Sequence, residues 1–119
     1  MMDKISVLIA DDHGVVRQGL RTYLELLDDI DIVGEAQNGI EAVDQVRQHR
    51  PDIVLMDLVM PEMNGVEATR RALAASSNTR VIVLTSFAED ELVFPAIEAG
   101  ATGYLLKDVD PAELHQAIQ

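Results

Sequence analysis

The sequence predicts an α/β fold, a doubly wound parallel sheet of five strands with five helices. Three observations predict it. Five short runs rich in β-branched residues alternate one for one with five stretches of helical periodicity. Three of those runs are continuously apolar rather than alternating, and acidic or polar residues follow directly on their ends. Continuous apolar runs mark strands covered on both faces. Strict strand–helix alternation calls for parallel strands joined by right-handed crossovers, with helices on both faces.

The first strand is read at residues 6–10 (SVLIA), followed by a helix carrying Val16, Leu20, Tyr23, Leu24 and Leu27 at helical spacing. Residues 30–35 (IDIVGE) alternate better than the other runs, as an edge strand does. The second helix carries Ile40, Val43 and Val46 after Asn38-Gly39, with Asn38 as its N-cap. The third strand is residues 52–56 (DIVLM), and Val66, Thr69, Ala72 and Leu73 mark a helix after Asn64-Gly65. Met56 belongs to the core by this reading, while Met60 and Met63 flank a loop and receive no role.

Residues 80–84 (RVIVL) form the fourth strand, and a shorter helical pattern covers residues 89–99. Pro95 falls inside it, where a proline costs about 3 kcal/mol unless it lies in the first turn. Either it lies there, or the helix is short and easily reorganised. The last strand is residues 102–105 (TGYL). The last helix opens at Asp110-Pro111, a cap followed by proline at the first helical position. Its stripe of Val109, Leu114, Ala117 and Ile118 reaches the end of the sequence without a C-cap, so a natural chain longer than this one is expected.

The 119 residues fit one domain. Without cysteine there are neither disulfides nor thiolate metal sites. No apolar run approaches the roughly 20 residues that span a bilayer, and the first residues lack the apolar segment of a secretory signal. A cytoplasmic location without membrane association is the expectation. The net charge of −12, from 21 acidic against 9 basic residues, would repel DNA phosphates, so these residues are not expected to bind nucleic acid themselves.

In an open parallel sheet, function gathers beyond the carboxyl ends of the strands. Strand 1 ends at Asp11-Asp12, strand 3 at Asp57, strand 4 at Thr85-Ser86 and strand 5 at Lys107-Asp108. Any one of these has an ordinary explanation: an Asp after a strand caps turns, Thr85 and Ser86 fit a helix cap, and an isolated lysine is usually solvated. Three carboxylates on one rim are another matter. Two of them about 5 Å apart repel by about 3 kcal/mol at an effective dielectric of 20. Such a cluster binds a cation, holds a proton or destabilises the fold. All-oxygen donors favour Mg²⁺. His13, adjacent to the pair, reads as a helix-start residue rather than a ligand.

Four segments, Ile9-Ala10-Asp11-Asp12-His13, the run from Val54 to Gly65 (VLMDLVMPEMNG), Val83-Leu84-Thr85-Ser86 and Gly103-Tyr104-Leu105-Leu106-Lys107-Asp108, together resemble the receiver domain of bacterial two-component response regulators. The resemblance covers residues 1–119 and is greatest to receivers that precede a LuxR-type helix-turn-helix domain. It implies a flavodoxin-like sheet of order 2-1-3-4-5. It implies Asp57 as phosphoacceptor for a sensor histidine kinase, with Mg²⁺ held by Asp12, by Asp11 largely through water, by Asp57 and by the backbone carbonyl of Val59. Lys107 would contact the phosphoryl oxygens, Thr85 would bond one of them, and Tyr104 would turn inward as Thr85 moves.

The resemblance further implies a phosphoacceptor that catalyses only its own phosphorylation and dephosphorylation. It implies a homodimer on phosphorylation and transcriptional output through a DNA-binding domain absent from this chain. Val15 and Gly19, off the core face of the first helix, are where such domains meet kinases. Val59 and Phe87, two residues beyond Asp57 and Thr85, cannot orient a water, so slow self-dephosphorylation is expected. A haloacid-dehalogenase-type phosphatase shares the aspartate nucleophile and Mg²⁺, but needs a second Asp where Val59 stands. A nucleotide or flavin module lacks its glycine-rich loop here.

Overall fold

The computed structural model describes residues 4–86 and 91–119. Its elements alternate throughout: β1 (Ile5–Ala10), α1 (Gly14–Glu25), β2 (Ile30–Ala36), α2 (Gly39–His49), β3 (Ile53–Asp57), α3 (Gly65–Ala75), β4 (Arg80–Thr85), α4 (Val93–Glu98), β5 (Gly103–Leu106) and α5 (Pro111–Ile118). The five strands form one parallel sheet of order β2-β1-β3-β4-β5. β2 is an edge, as its alternating pattern predicts.

Alternation within the strands divides the core in two. Leu8, Ala10, Val54, Met56, Val81 and Val83 face α2, α3 and α4, whereas Val7, Ile9, Ile53, Leu55, Ile82 and Leu84 face α1 and α5. Because both faces are covered, each central strand carries a continuous apolar run, with its polar residues confined to the strand ends. The β1–β2 register shifts where Val7 pairs with Ile32 and Leu8 with Gly34. Val33 is thus an extra, bulged residue in the edge strand.

Helix starts follow their capping residues. Asn38 accepts from the Glu41 N–H at 2.8 Å, and Asn64 accepts from the N–H groups of Val66 and Glu67. Asp110 accepts from Ala112 N–H with Pro111 behind it. Pro95 is the third residue of α4, inside the first turn, where no intrahelical N–H bond is lost. Leu27 lies outside α1, which ends at Glu25, yet it still packs on the core.

Met60 corrects the sequence reading. It is 7% exposed and joins the core cluster on the α2–α3 side, with Met63 packed against it. The loop after β3 folds back onto the domain rather than standing away from it. Gly65 makes this possible: a Cβ there would lie 2.2 Å from the Asp57 carbonyl oxygen. The Gly65 N–H donates to the Leu58 carbonyl at 2.8 Å. The start of α3 is therefore clamped against the end of β3.

Candidate functional site

The carboxyl rim of the sheet brings the expected groups together. β1 and β3 are neighbours in register, Ala10 opposite Met56, so Asp11 and Asp57 leave the sheet side by side. Both are buried, at 0% and 3% exposure. Lys107, arriving from β5 across β4, places its ammonium 3.1 Å from Asp11 Oδ2 and 3.1 Å from Asp57 Oδ1. It is anchored by its backbone N–H, which donates to the Thr85 carbonyl at 2.8 Å. One cation thus bridges two buried carboxylates, and Thr85 stands beside it at the end of β4, buried as well.

Two acids against one ammonium leave negative charge in excess. Burial pushes the Asp57 carboxyl up from 3.8 to about 6, and the Asp11 charge adds to this. The Lys107 ammonium opposes it, and the Val59 backbone N–H also lowers it. Lys107 would be lowered by burial, but Asp57 and Asp11 outweigh that and hold it above its ordinary value. Asp57 Oδ2 is buried with no hydrogen-bond partner among the described residues. A buried carboxylate oxygen left in that condition is costly unless a ligand completes it.

Asp12 is partly exposed beside this pair, and the donor atoms of Asp11, Asp12, His13 and Asp57 all lie within 4.8 Å of one another. Ligands about 2.1 Å from one small cation are at most about 4.2 Å apart. The set is therefore within a small adjustment of gripping a hard divalent ion. His13 occupies the N-cap position of α1, as its place in the sequence suggests, but its side chain makes no capping bond. The ring turns to the acids instead, Nδ1 lying 3.2 Å from Asp11 and 3.3 Å from Asp12.

The loop beyond Asp57 is taut. The Met63 N–H donates to the Pro61 carbonyl at 2.7 Å, and Glu62 between them has φ 70°. This is a γ-turn of the rare, strained kind. The Val59 side chain in the same loop is 63% exposed. Tyr104 lies lower on β5, opposite Val83 and 45% exposed, so it stands outside the cluster. Phe87 lies outside the described residues, as does the beginning of the helical pattern read at residues 89–99.

One residue of the site escaped the sequence reading. Arg17 of α1 donates from Nη1 to the Asp11 carbonyl at 2.7 Å and from Nε to Glu35 at 3.1 Å. Its only sequence signal is a helix arginine preceding a glutamate at the end of an edge strand.

The model of the response regulator receiver domain family matches residues 7–119. Among curated proteins, the chain is 50% identical over 115 residues to the uncharacterized transcriptional regulatory protein YhcZ of Bacillus subtilis. The match covers 97% of this chain and 54% of that protein. It is 49% identical to the transcriptional regulatory protein LiaR of the same organism, with the same coverage. The chain spans about half the length of the curated relatives it matches. Among solved structures, the signal receiver domain of the putative response regulator NarL from Mycobacterium tuberculosis superposes with a TM-score of 0.91 at 34% identity. That match covers 98% of this chain and 94% of the other.

Proposed function

The chain belongs to the response regulator receiver domain family, and from that premise we propose that it is the phosphoacceptor of a two-component phosphorelay, with Asp57 as the accepting residue. The observation that carries this reading is the buried Asp57 carboxylate, held at one oxygen by Lys107 while the other has no partner among the described residues. One Asp57 oxygen attacks phosphorus as the P–N bond of a kinase phosphohistidine breaks. The electron pair stays on the departing imidazole nitrogen, which takes up a proton.

Asp57 must be ionised to attack, and a value of about 6 leaves it mostly so at neutral pH. Lys107 offsets charge on the transferring oxygens. Thr85, at the end of β4, supplies a hydroxyl for the acyl phosphate once formed, and Tyr104 is the side chain free to follow it inward. Asp11, Asp12, Asp57 and the Val59 carbonyl are the groups that would hold Mg²⁺, and bound there the ion would neutralise the phosphoryl and carboxylate charges. Val59, apolar and exposed, cannot orient a water, which supports a long-lived phosphoryl group.

On this reading residues 1–119 are one receiver domain. The catalysis is confined to its own phosphorylation and dephosphorylation. A sensor histidine kinase is its partner, and the exposed Val15 with Gly19, lining a groove between α1 and α5, is the docking surface. Homodimer formation follows phosphorylation, and a DNA-binding domain outside these residues carries the output. No helix among the described residues is long and apolar enough to cross a membrane, in keeping with work in the cytoplasm.

The test is incubation with acetyl phosphate and Mg²⁺, read by intact mass. The wild type should gain one phosphoryl group and Asp57→Ala none. No gain in the wild type, or an equal gain in both, overturns the assignment.

A further inference from the structure

We propose that Arg17 is a positioning residue for the cation site, acting through the Asp11–Asp12 peptide with Glu35 as its anchor. The inference rests on the metal-dependent reading above and adds to it a residue on another element. Arg17 lies six residues after Asp11, yet its role is invisible in the sequence, because its contacts are to a backbone carbonyl and to Glu35 on the edge strand β2. Its side chain is 16% exposed, and its guanidinium spans the Asp11 carbonyl and one Glu35 oxygen. The second Glu35 oxygen is taken by Arg21 Nη1 at 2.7 Å, and Arg21 in turn bonds Glu25 on its own helix. Glu35 is thus fixed from two points and cannot swing away from Arg17 without breaking both.

The consequence falls on Asp12. A peptide unit is planar, so a charge-assisted bond to the Asp11 carbonyl fixes the plane joining Asp11 to Asp12. Asp11 is already held elsewhere, since its N–H donates to the Ala36 carbonyl at 3.0 Å and its carboxylate accepts from His13 N–H at 2.8 Å. Asp12 has no comparable restraint: among the described residues its carboxylate is paired only with the exposed ring of His13. Where its carboxylate points is therefore set by its backbone, and Arg17 is the group that sets that backbone. Arg17 also brings positive charge to the edge of a cluster of three acids.

Stability alone is a poor reason for this arrangement. A part-buried Arg–Glu pair carries a desolvation cost and is commonly little better than an apolar pair of the same volume. Groups that orient metal ligands from behind typically matter about 10- to 100-fold in affinity.

The test is isothermal titration of Mg²⁺ into the metal-free chain as wild type, Arg17→Gln, Arg17→Lys and Arg21→Gln, with the melting temperature of each. Arg21→Gln is the control, because it removes an ion pair from the same glutamate without touching Asp11. Arg17→Gln should weaken Mg²⁺ binding roughly 10-fold. Its phosphorylation by acetyl phosphate should return to within about two-fold of wild type once Mg²⁺ is saturating, the mark of lost affinity rather than lost chemistry. Arg17→Lys keeps the charge and can make one of the two bonds, so its Mg²⁺ affinity should fall between the wild type and Arg17→Gln. Arg21→Gln should stay within about two-fold of wild type. Wild-type affinity in both Arg17 variants overturns the proposal, as does an equal loss in Arg21→Gln. A wild type that binds no Mg²⁺ sinks the metal reading itself, a result distinct from equal binding by all four.

Discussion

Asp52 and Asp57 bracket the same strand, and their surroundings could hardly differ more. At the amino-terminal rim, Asp52 Oδ2 accepts from the Ser6 N–H at 2.9 Å and from its hydroxyl at 3.2 Å, while the Asp52 N–H donates back to Ser6 Oγ at 2.8 Å. Nearby, the Thr79 hydroxyl donates to the Pro51 carbonyl at 2.6 Å. At the carboxyl-terminal rim, Asp57 shares one lysine with Asp11 and leaves an oxygen unpartnered among the described residues. One rim spends its polar groups on closing the fold. The other keeps like charges together at a cost in stability, as the proposed phosphoacceptor site would require.

The largest expected break in this contrast is chemical. Removing the bridging ammonium with Lys107→Ala should slow phosphorylation by acetyl phosphate by about 100-fold, measured as the initial rate of mass gain at saturating Mg²⁺. A rate within a few-fold of wild type would show that the lysine serves only to pair two acids. No substitution on the opposite rim should approach that effect while the chain remains folded.

Next comes a difference of sign. Asp57 is raised in the folded chain, so folding favours its protonated form. That contribution is complete below its unfolded value of 3.8 and is lost as pH rises through about 6. In EDTA at about pH 7.5, Asp57→Asn should therefore stabilise the chain, on the order of 1–2 kcal/mol after allowance for screening at an open rim. The gain should shrink as pH falls toward 4. Asp52→Ala, by contrast, leaves the Ser6 N–H without its acceptor and should destabilise by about 1 kcal/mol. Urea unfolding of both variants at two pH values decides it. The same sign for both would erase the distinction between the rims.

These opposite fates explain what could be read from the sequence. The strands, their order along the chain and the caps at Asn38 and Asp110 are local or periodic features. The acids at strand ends followed from topology alone. Arg17 did not, because a cation on a helix face gives no sign of whether it meets water or a backbone carbonyl. Met60 did not either. Its burial depends on the loop after β3 doubling back, which is set by the approach of Gly65 to the Asp57 carbonyl rather than by any hydrophobic period. Tyr104 was singled out through family resemblance, and its half-exposed position on β5 shows why no packing argument would have found it.

The smallest effect belongs to a third aspartate, and it bounds how far the contrast extends. Asp29, in the turn between α1 and β2, takes His115 Nε2 at 2.9 Å and Gln119 Nε2 at 2.9 Å, pinning the end of α5. The Gln119 bond and then the His115 bond hold its carboxyl below the ordinary range. With the folded value depressed, its contribution is present above 3.8 and fades as pH falls through the lower folded value, the reverse of Asp57. Gln119 is exposed and His115 only part-buried, and ion pairs so close to water add little. Asp29→Asn should lower the melting temperature less than Asp52→Ala does, and the deficit should close in acid. A larger loss than that of Asp52→Ala would mean that the end of α5 matters more to the lower rim than its solvent-exposed bonds suggest.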